Sequence, residues 1–264
     1  MISFSTVIGI SAGVGLFAMA IYTSTDNYMM FISAASAMMV IGSTIAASLI
    51  SFSAGEVLHA LRALLQTLMA SKTTQSHLRD WVKRFMELSN AFRDGGITGL
   101  EDMVTAKEKN DRFFSLGLEL MGNGYKAPEI RTILTDAMDS HWQRQTLEAK
   151  ILNTMGVYAP GFGMVGTIVG LIIMLDNMGD DMAGLGKGLA LALITTLYGV
   201  LLANLIFKPT GAQVTEKQEQ EYFRNQLITD GFVLMAEKKD SVLIQDRLNA
   251  YISPRKRYQP QEAD

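Results

Sequence analysis

Residues 151–175 read ILNTMGVYAPGFGMVGTIVGLIIML, and residues 188–207 read GLALALITTLYGVLLANLIF. Neither run contains Asp, Glu, Lys, Arg or His, and an acidic loop with Asp176, Asp180 and Asp181 joins them. About 20 apolar residues in a helix cross the roughly 30 Å hydrocarbon core of a bilayer. The stretch therefore predicts a transmembrane hairpin.

The N-terminal part of the chain predicts a second hairpin, because Asp26 is the only charged residue before Glu56. The chain has 264 residues, of which 48% are apolar, and its mean hydropathy of +0.18 is high for a soluble protein. The first residues lack the basic start of a signal peptide. We expect an all-α polytopic membrane protein with four transmembrane helices, at about Ser5–Tyr22, Met29–Phe52, Thr154–Leu175 and Gly188–Phe207.

The alternation of apolar and polar segments divides the chain into four parts. Residues 1–55 form the first hairpin and residues 151–208 the second. Residues 56–150 carry apolar side chains at helical spacing, which predicts a compact helical domain. Residues 209–264 predict further helices followed by a disordered polar end.

The distribution of Lys and Arg predicts the orientation in the membrane. The loop Ser53–Lys150 holds 13 of the 23 basic residues, and the tail from Lys208 onward holds 9. Positively charged loops remain on the cytoplasmic side. We therefore expect both termini and the 56–150 domain in the cytoplasm, with the turn at Asp26 outside.

Residue types exclude several function classes. The chain has no cysteine, its three histidines are scattered, and we find no nucleotide-binding glycine loop, nucleophile elbow or zinc motif. No basic stripe suggests nucleic acid. The sequence predicts a protein that is not an enzyme and holds no cofactor or metal.

Small and hydroxylic residues share faces in the second hairpin. Gly163, Thr167 and Gly170 lie on one helix face, and Thr195 and Thr196 lie in the other helix. A threonine in such a place either returns its hydroxyl to a carbonyl one turn back or helps to replace the hydration of a passing cation. Neither span contains a carboxylate, the usual intramembrane ion carrier, so an ion path here needs an acid from another subunit.

Two other features predict local breaks. The run Arg93–Gly96 is expected to break one helix, with Glu101 and Asp102 opening the next, and these charges form either a solvated surface or a docking edge for a partner. Pro209 cannot donate a backbone N–H, so it is expected to end or kink the fourth span, and Pro160 leaves a carbonyl free in the third.

The runs Tyr158–Leu171 and Thr195–Gly199 resemble the third and fourth spans of the MotA/PomA proteins, within the MotA/TolQ/ExbB superfamily. These are the A subunits of bacterial flagellar stators. The resemblance implies a homopentamer of A subunits around two B subunits in the inner membrane. Each B subunit has one span with an ion-carrying Asp and a peptidoglycan-binding domain. Ion flow then turns the A ring, whose cytoplasmic charges push the rotor protein FliG.

When the family's functional residues are matched to this sequence residue by residue, the resemblance implies an ion path and two hinges. The threonines match the hydroxyls of sodium-driven, PomA-like members, so the transported ion is expected to be Na+ rather than H+. Val157 stands where some sodium-type members have an acid. The implied ion path consists of Thr167, Thr195, Thr196, Pro160 and Tyr198, and the implied hinges are Pro160 and Pro209.

The resemblance also implies a rotor-interacting edge formed by Arg93, Glu101 and Asp102. Asp94 stands where a basic residue is common, and Lys239–Ser241 stands where an Asn-Pro turn is frequent. Two alternatives remain open on the residues. An ExbB- or TolQ-type subunit would energise outer-membrane processes, although those usually have three spans. A non-conducting scaffold would leave the threonines unexplained.

Overall fold

The computed structural model describes residues 4–66, 75–178 and 182–259. Within these ranges all regular structure is helical. Asp180 and Asp181, which the sequence places in the acidic loop, lie outside the described residues. The chain divides into two compact units, 1–71 with 145–216, and 72–144 with 217–264.

The first unit contains the apolar helices. Its complete elements are the helices α1 (Phe4–Ser24), α2 (Ala34–Ala37), α3 (Ser43–Ser51), α4 (Ala54–Gln66) and α9 (Met182–Leu201), a 3-10 turn (Tyr28–Phe31) and two π turns (Met38–Gly42 and Leu202–Phe207).

The second unit contains α5 (Gln75–Met103), α6 (Ala106–Lys109), α7 (Arg112–Gly122), α11 (Ser241–Asn249) and a 3-10 turn (Pro254–Lys256). Two longer helices, α8 (Ala127–Asp176) and α10 (Lys208–Ala236), contribute residues to both units.

Three helical segments among the described residues are long and apolar enough to cross a membrane. They are Tyr28–Ser51, Ala127–Asp176 and Gly184–Ala236. Helix α1 covers the first predicted span and supplies a shorter apolar segment, Ser11–Ser24. The predicted helical, membrane-spanning architecture is therefore present in the structure.

Apolar side chains of several sizes form the core of the first unit, and buried serine and threonine side chains accompany them. Met155 and Ala159 of α8 are buried together with Val40, Ala203 and Phe207. Polar side chains in this core bind the helix that carries them: Thr44 Oγ1 donates to the Val40 carbonyl at 2.6 Å, and Ser48 Oγ donates to the Thr44 carbonyl at 2.8 Å. Serine and threonine thus behave as small apolar residues here.

Aromatic rings form the core of the second unit. Phe85 and Phe232 meet edge to face with centroids 5.4 Å apart, and Phe114 lies 5.0 Å from Phe232. A Cβ on Gly231 would lie 2.5 Å from Phe85 Cε1, so this glycine admits the Phe85 ring against α10.

Pro209 does not end its helix. The α-helical course resumes at Lys208 and continues to Ala236. A proline ring clashes with the carbonyl four residues earlier in a regular α-helix. Here that carbonyl belongs to Leu205, inside the wider π turn Leu202–Phe207, so the distortion lies in the helix before the proline. The fourth span was expected to end or kink at Pro209; it does not end there, and the distortion is the π turn before the proline.

Candidate functional site

Helices α8 and α9 approach each other backbone to backbone. A Cβ on Gly199 would lie 2.6 Å from the Ala159 carbonyl oxygen, and one on Gly163 would lie 3.0 Å from the Thr195 carbonyl oxygen. A Cβ on Gly170 would lie 2.6 Å from the Ala192 nitrogen. Small residues allow this kind of approach in membranes. Gly163 and Gly170, which were predicted to share a face, therefore form the contact line of the hairpin together with Gly199.

The hydroxyls of Thr167 and Thr196 meet across this contact line. Their Oγ1 atoms are 2.5 Å apart. Thr167 Oγ1 also lies 3.2 Å from the Gly163 carbonyl and 3.1 Å from the Ala192 carbonyl. Thr196 Oγ1 reaches the same two carbonyls, each at 3.4 Å. Two hydroxyl and two carbonyl oxygens thus converge between the helices.

Thr195 borders the same oxygen cluster but is fully buried. Its Oγ1 lies 2.9 Å from both the Leu191 and Ala192 carbonyls. Its side chain also faces Gly166, where a Cβ would lie 2.5 Å from Thr195 Cβ. Thr195 therefore fills the helix contact, whereas Thr167 and Thr196 are half-buried. All three hydroxyls reach a carbonyl one turn back, as a packing role requires. The converging oxygens of Thr167 and Thr196 also fit the second role, in which they replace the hydration of a cation.

Tyr198 directs its hydroxyl toward the second predicted span. The hydroxyl donates to the Phe31 carbonyl at 2.6 Å and accepts from the Ser33 N–H at 3.2 Å. Ser33 is in turn the N-cap of α2, because its Oγ accepts from the Ser36 N–H at 3.2 Å. Tyr198 thus supplies both a donor and an acceptor where the chain is not yet α-helical. Its hydroxyl is engaged apart from the threonine cluster.

Pro160 lies within the uninterrupted helix α8. Because it has no N–H, it cannot bond the Gly156 carbonyl one turn earlier. Gly156 packs against Lys208, whose Cγ would lie 2.8 Å from a Cβ at that position. The freed carbonyl is therefore near the start of α10.

The described residues contain no group of three or more His, Cys, Asp or Glu side chains that could hold a metal.

Arg93 lies at an exposed corner of the second unit. Gly96 has φ +61° and ψ −146°, which only glycine adopts readily, and it kinks α5. A Cβ on Gly99 would lie 2.7 Å from the Ala91 carbonyl oxygen, so the chain packs closely against the helix it has just left. Residues 93–96 are exposed. The predicted break at Arg93–Gly96 is present as this kink.

Glu101 and Asp102 are exposed at the end of α5, which stops at Met103. The sequence analysis expected these two acids to open a helix, and the structure contradicts this. The helix that follows them, α6, begins after Thr105, whose side chain forms a reciprocal capping box with Glu108. A hydroxyl that accepts the backbone N–H of the third helical residue is a stronger start signal than two acids.

Arg84 and Glu108 hold the segment after the corner in place. Arg84 Nε donates to Glu108 Oε1 at 2.6 Å, and Nη2 donates both to Glu108 Oε2 at 3.0 Å and to the Met103 carbonyl. Burial alone would raise the pKa of Glu108, but hydrogen bonds from Arg84 and Thr105 outweigh it and place the pKa below its usual value. Sequence analysis missed this pair, although Thr105-x-x-Glu108 is a capping-box pattern.

Comparison with known proteins identifies relatives of the whole chain. Residues 105–226 match the MotA/TolQ/ExbB proton channel family. The chain is 33% identical to the protein YtxD of Bacillus subtilis, over 97% of this chain and 88% of that protein. It is 30% identical to the chemotaxis protein PomA of Vibrio alginolyticus, over 96% of each chain.

Two solved structures share the fold. A chain of C. jejuni MotAB superposes with a TM-score of 0.84 at 19% identity, covering 99% of each chain. A chain of the flagellar MotAB stator complex from Bacillus subtilis superposes with a TM-score of 0.79 at 23% identity, covering 95% of this chain and 96% of that chain. With full-length relatives at 30% identity or more, this membrane protein belongs to the MotA/TolQ/ExbB proton channel family and is a homologue of PomA.

Proposed function

We propose that the chain is the A subunit of a bacterial flagellar stator and resides in the inner membrane with both termini in the cytoplasm. Similarity to PomA over nearly the full length and the fold shared with two MotAB structures support this role. The concentration of Lys and Arg in Ser53–Lys150 and in the tail supports the orientation.

Five copies form a ring around two B subunits, with the third and fourth spans facing inward. The glycine contact line between α8 and α9 supports this arrangement, because it builds a compact, uncharged hairpin. Each B subunit provides one span with an ion-carrying Asp and a peptidoglycan-binding domain. The chain needs such a partner because its own two spans lack a carboxylate.

The coupling ion is Na+, and the oxygen cluster carries this part of the proposal. A partly dehydrated Na+ needs several neutral oxygens beside the partner's carboxylate, whereas a proton needs only the carboxylate and water. Thr167, Thr196 and the carbonyls of Gly163 and Ala192 supply four oxygens within one site. Thr195 and the carbonyl freed by Pro160 line neighbouring parts of the path, while Tyr198 holds the second span against it.

Torque passes to the rotor protein FliG through the corner of the second unit. Arg93 and the exposed acids Glu101 and Asp102 form this edge. Pro160 and Pro209 act as hinges, and the π turn before Pro209 supports a local adjustment of the helix there.

In the deciding experiment, the chain and its B subunit are expressed in cells that lack stators. Motor speed is then measured as a function of the external Na+ concentration. The pH and the membrane potential are held fixed. We expect speed to rise with Na+ and to vanish without it. Rotation that persists in sodium-free medium and stops with a protonophore would refute sodium but keep the stator role. Co-purification with an outer-membrane energising partner, and no motility, would instead favour the ExbB/TolQ-type function.

A further inference from the structure

Arg93 is already engaged by its own chain. Its Nη2 donates to Asn90 Oδ1 at 2.8 Å, and its Nη1 lies 3.5 Å from Asp240 Oδ1. The two side chains of the ion pair remain 51% and 62% exposed, for Arg93 and Asp240 respectively. A partner that approaches this corner therefore meets an arginine with an internal counter-ion.

The fold holds Asp240 in this position. Asp240 is the N-cap of α11, with Oδ2 accepting from the Val242 N–H at 3.1 Å and its carbonyl accepting from the Ile244 N–H at 3.0 Å. Ile244 and Leu248 are completely buried in the core that also contains α5. One carboxylate oxygen therefore caps the helix while the other faces Arg93.

The ion pair is weak enough to be exchanged. Exposed pairs contribute roughly 0.2–1 kcal/mol, which is about 1.5- to 5-fold in an equilibrium constant. Among the described residues, Asp240 is the carboxylate that forms an ion pair with Arg93; the adjacent Asp94 forms none with it, and Lys239 lies 3.7 Å from Glu237. A carboxylate on a docking surface can thus take the place of Asp240 at Arg93, but the ion pair between Arg93 and Asp240 must then separate.

We propose that Asp240 is an internal competitor for Arg93, which weakens docking to an acidic partner surface and keeps that docking reversible. The inference rests on the proposed rotor-facing role of this corner. It makes Asp240 a residue that sets affinity at the edge without itself contacting the partner. Its expected effect is on the lifetime of the docked state, because Asp240 competes with the partner's carboxylate for Arg93 and so favours dissociation.

The test measures how long fluorescently labelled stators remain at the motor in cells that carry the full chain and its B subunit. Asp240→Asn removes the charge and keeps a good N-cap, so α11 should remain folded. We expect this variant to lengthen the residence time about 1.5- to 5-fold. The matched control is Asp246→Asn, an exposed aspartate on the same helix, which should behave as the unmodified chain.

A double-mutant cycle shows whether Asp240 acts through Arg93. In an Arg93→Ala background, Asp240→Asn should no longer lengthen residence. Equal residence for the Asp240 and Asp246 variants, or lengthening that persists without Arg93, would overturn the inference. If Arg93→Ala itself shortens residence in those cases, the rotor-facing role stands and only the competitor role fails. If Arg93→Glu and Arg93→Ala change neither residence nor speed, the rotor-facing role fails too.

Discussion

The hydroxyl oxygens of Thr167 and Thr196 are 2.5 Å apart across the contact line of α8 and α9. Each of them also reaches the Gly163 and Ala192 carbonyls, so the pair closes a ring of four oxygens. In the proposed function, these four oxygens replace part of the water around a partly dehydrated Na+. The ring also satisfies the hydroxyls when no ion is present, so it does not depend on the ion for its stability.

Replacing Thr167 with Ala should remove one oxygen from this ring and leave the fold nearly intact, because alanine suits a small-residue interface. We expect stators that assemble normally but need a higher external Na+ concentration for half-maximal speed, or do not rotate. Motor speed against Na+ is the measurement. Thr167→Ser keeps the oxygen and is the control. If both variants show the same Na+ dependence, the threonines serve only in packing and not in the ion path.

Replacing Gly199 with Ala should destabilise the hairpin. The new Cβ would lie 2.6 Å from the Ala159 carbonyl oxygen, a backbone atom that can move only with its helix. Overpacking of this kind typically costs about 1–3 kcal/mol. We expect a lower melting temperature of the purified complex. Gly161→Ala is the matched control on the facing helix, because nothing lies within 4 Å of a Cβ there.

Replacing Tyr198 with Phe should loosen the start of the second span without altering ion dependence. The Phe31 carbonyl and the Ser33 N–H would lose their shared partner, at roughly 1–3 kcal/mol. Faster hydrogen exchange around residues 31–36 and a lower melting temperature would show this. A changed Na+ dependence at unchanged stability would instead assign Tyr198 to the ion path.

The Arg84–Glu108 pair should make stability depend on acid pH. The folded-state pKa of Glu108 is lowered, so its contribution is present above the unfolded-state pKa and is lost as pH falls through the folded value. Glu108→Gln should lower stability at neutral pH and remove this part of the acid dependence. Thermal unfolding between about pH 7 and about pH 3 measures it. Glu119→Gln, at an exposed site, should keep the full dependence.

The uncharged runs around Thr167 and Thr195 were sufficient to predict the membrane hairpin, since hydropathy and length constrain a spanning helix strongly. The family then confirms the prediction that the chain is not an enzyme, because its members are channel subunits. Partners across the fold were harder to predict. The Phe85 ring that needs Gly231, and the Phe31 carbonyl that receives the Tyr198 hydroxyl, are distant in sequence.

Local geometry was predictable where one residue dictates it. Gly96 marked the kink because a left-handed φ favours glycine. Pro209 marked a disturbance but not its form, since a proline clash can be relieved by ending the helix or by widening the turn before it. The roles of the predicted ion-path and rotor-facing residues remain predictions that the experiments above address.

The complete lack of charge in residues 151–175 and 188–207 has a consequence for the cell. A ring of neutral oxygens attracts a cation only weakly until a negative group is placed beside it. On the proposed function, subunits made in excess of the acid-bearing partner, or before it is available, would therefore not conduct ions. The ion gradient would be spared during biogenesis, and conduction would begin only with the completed assembly.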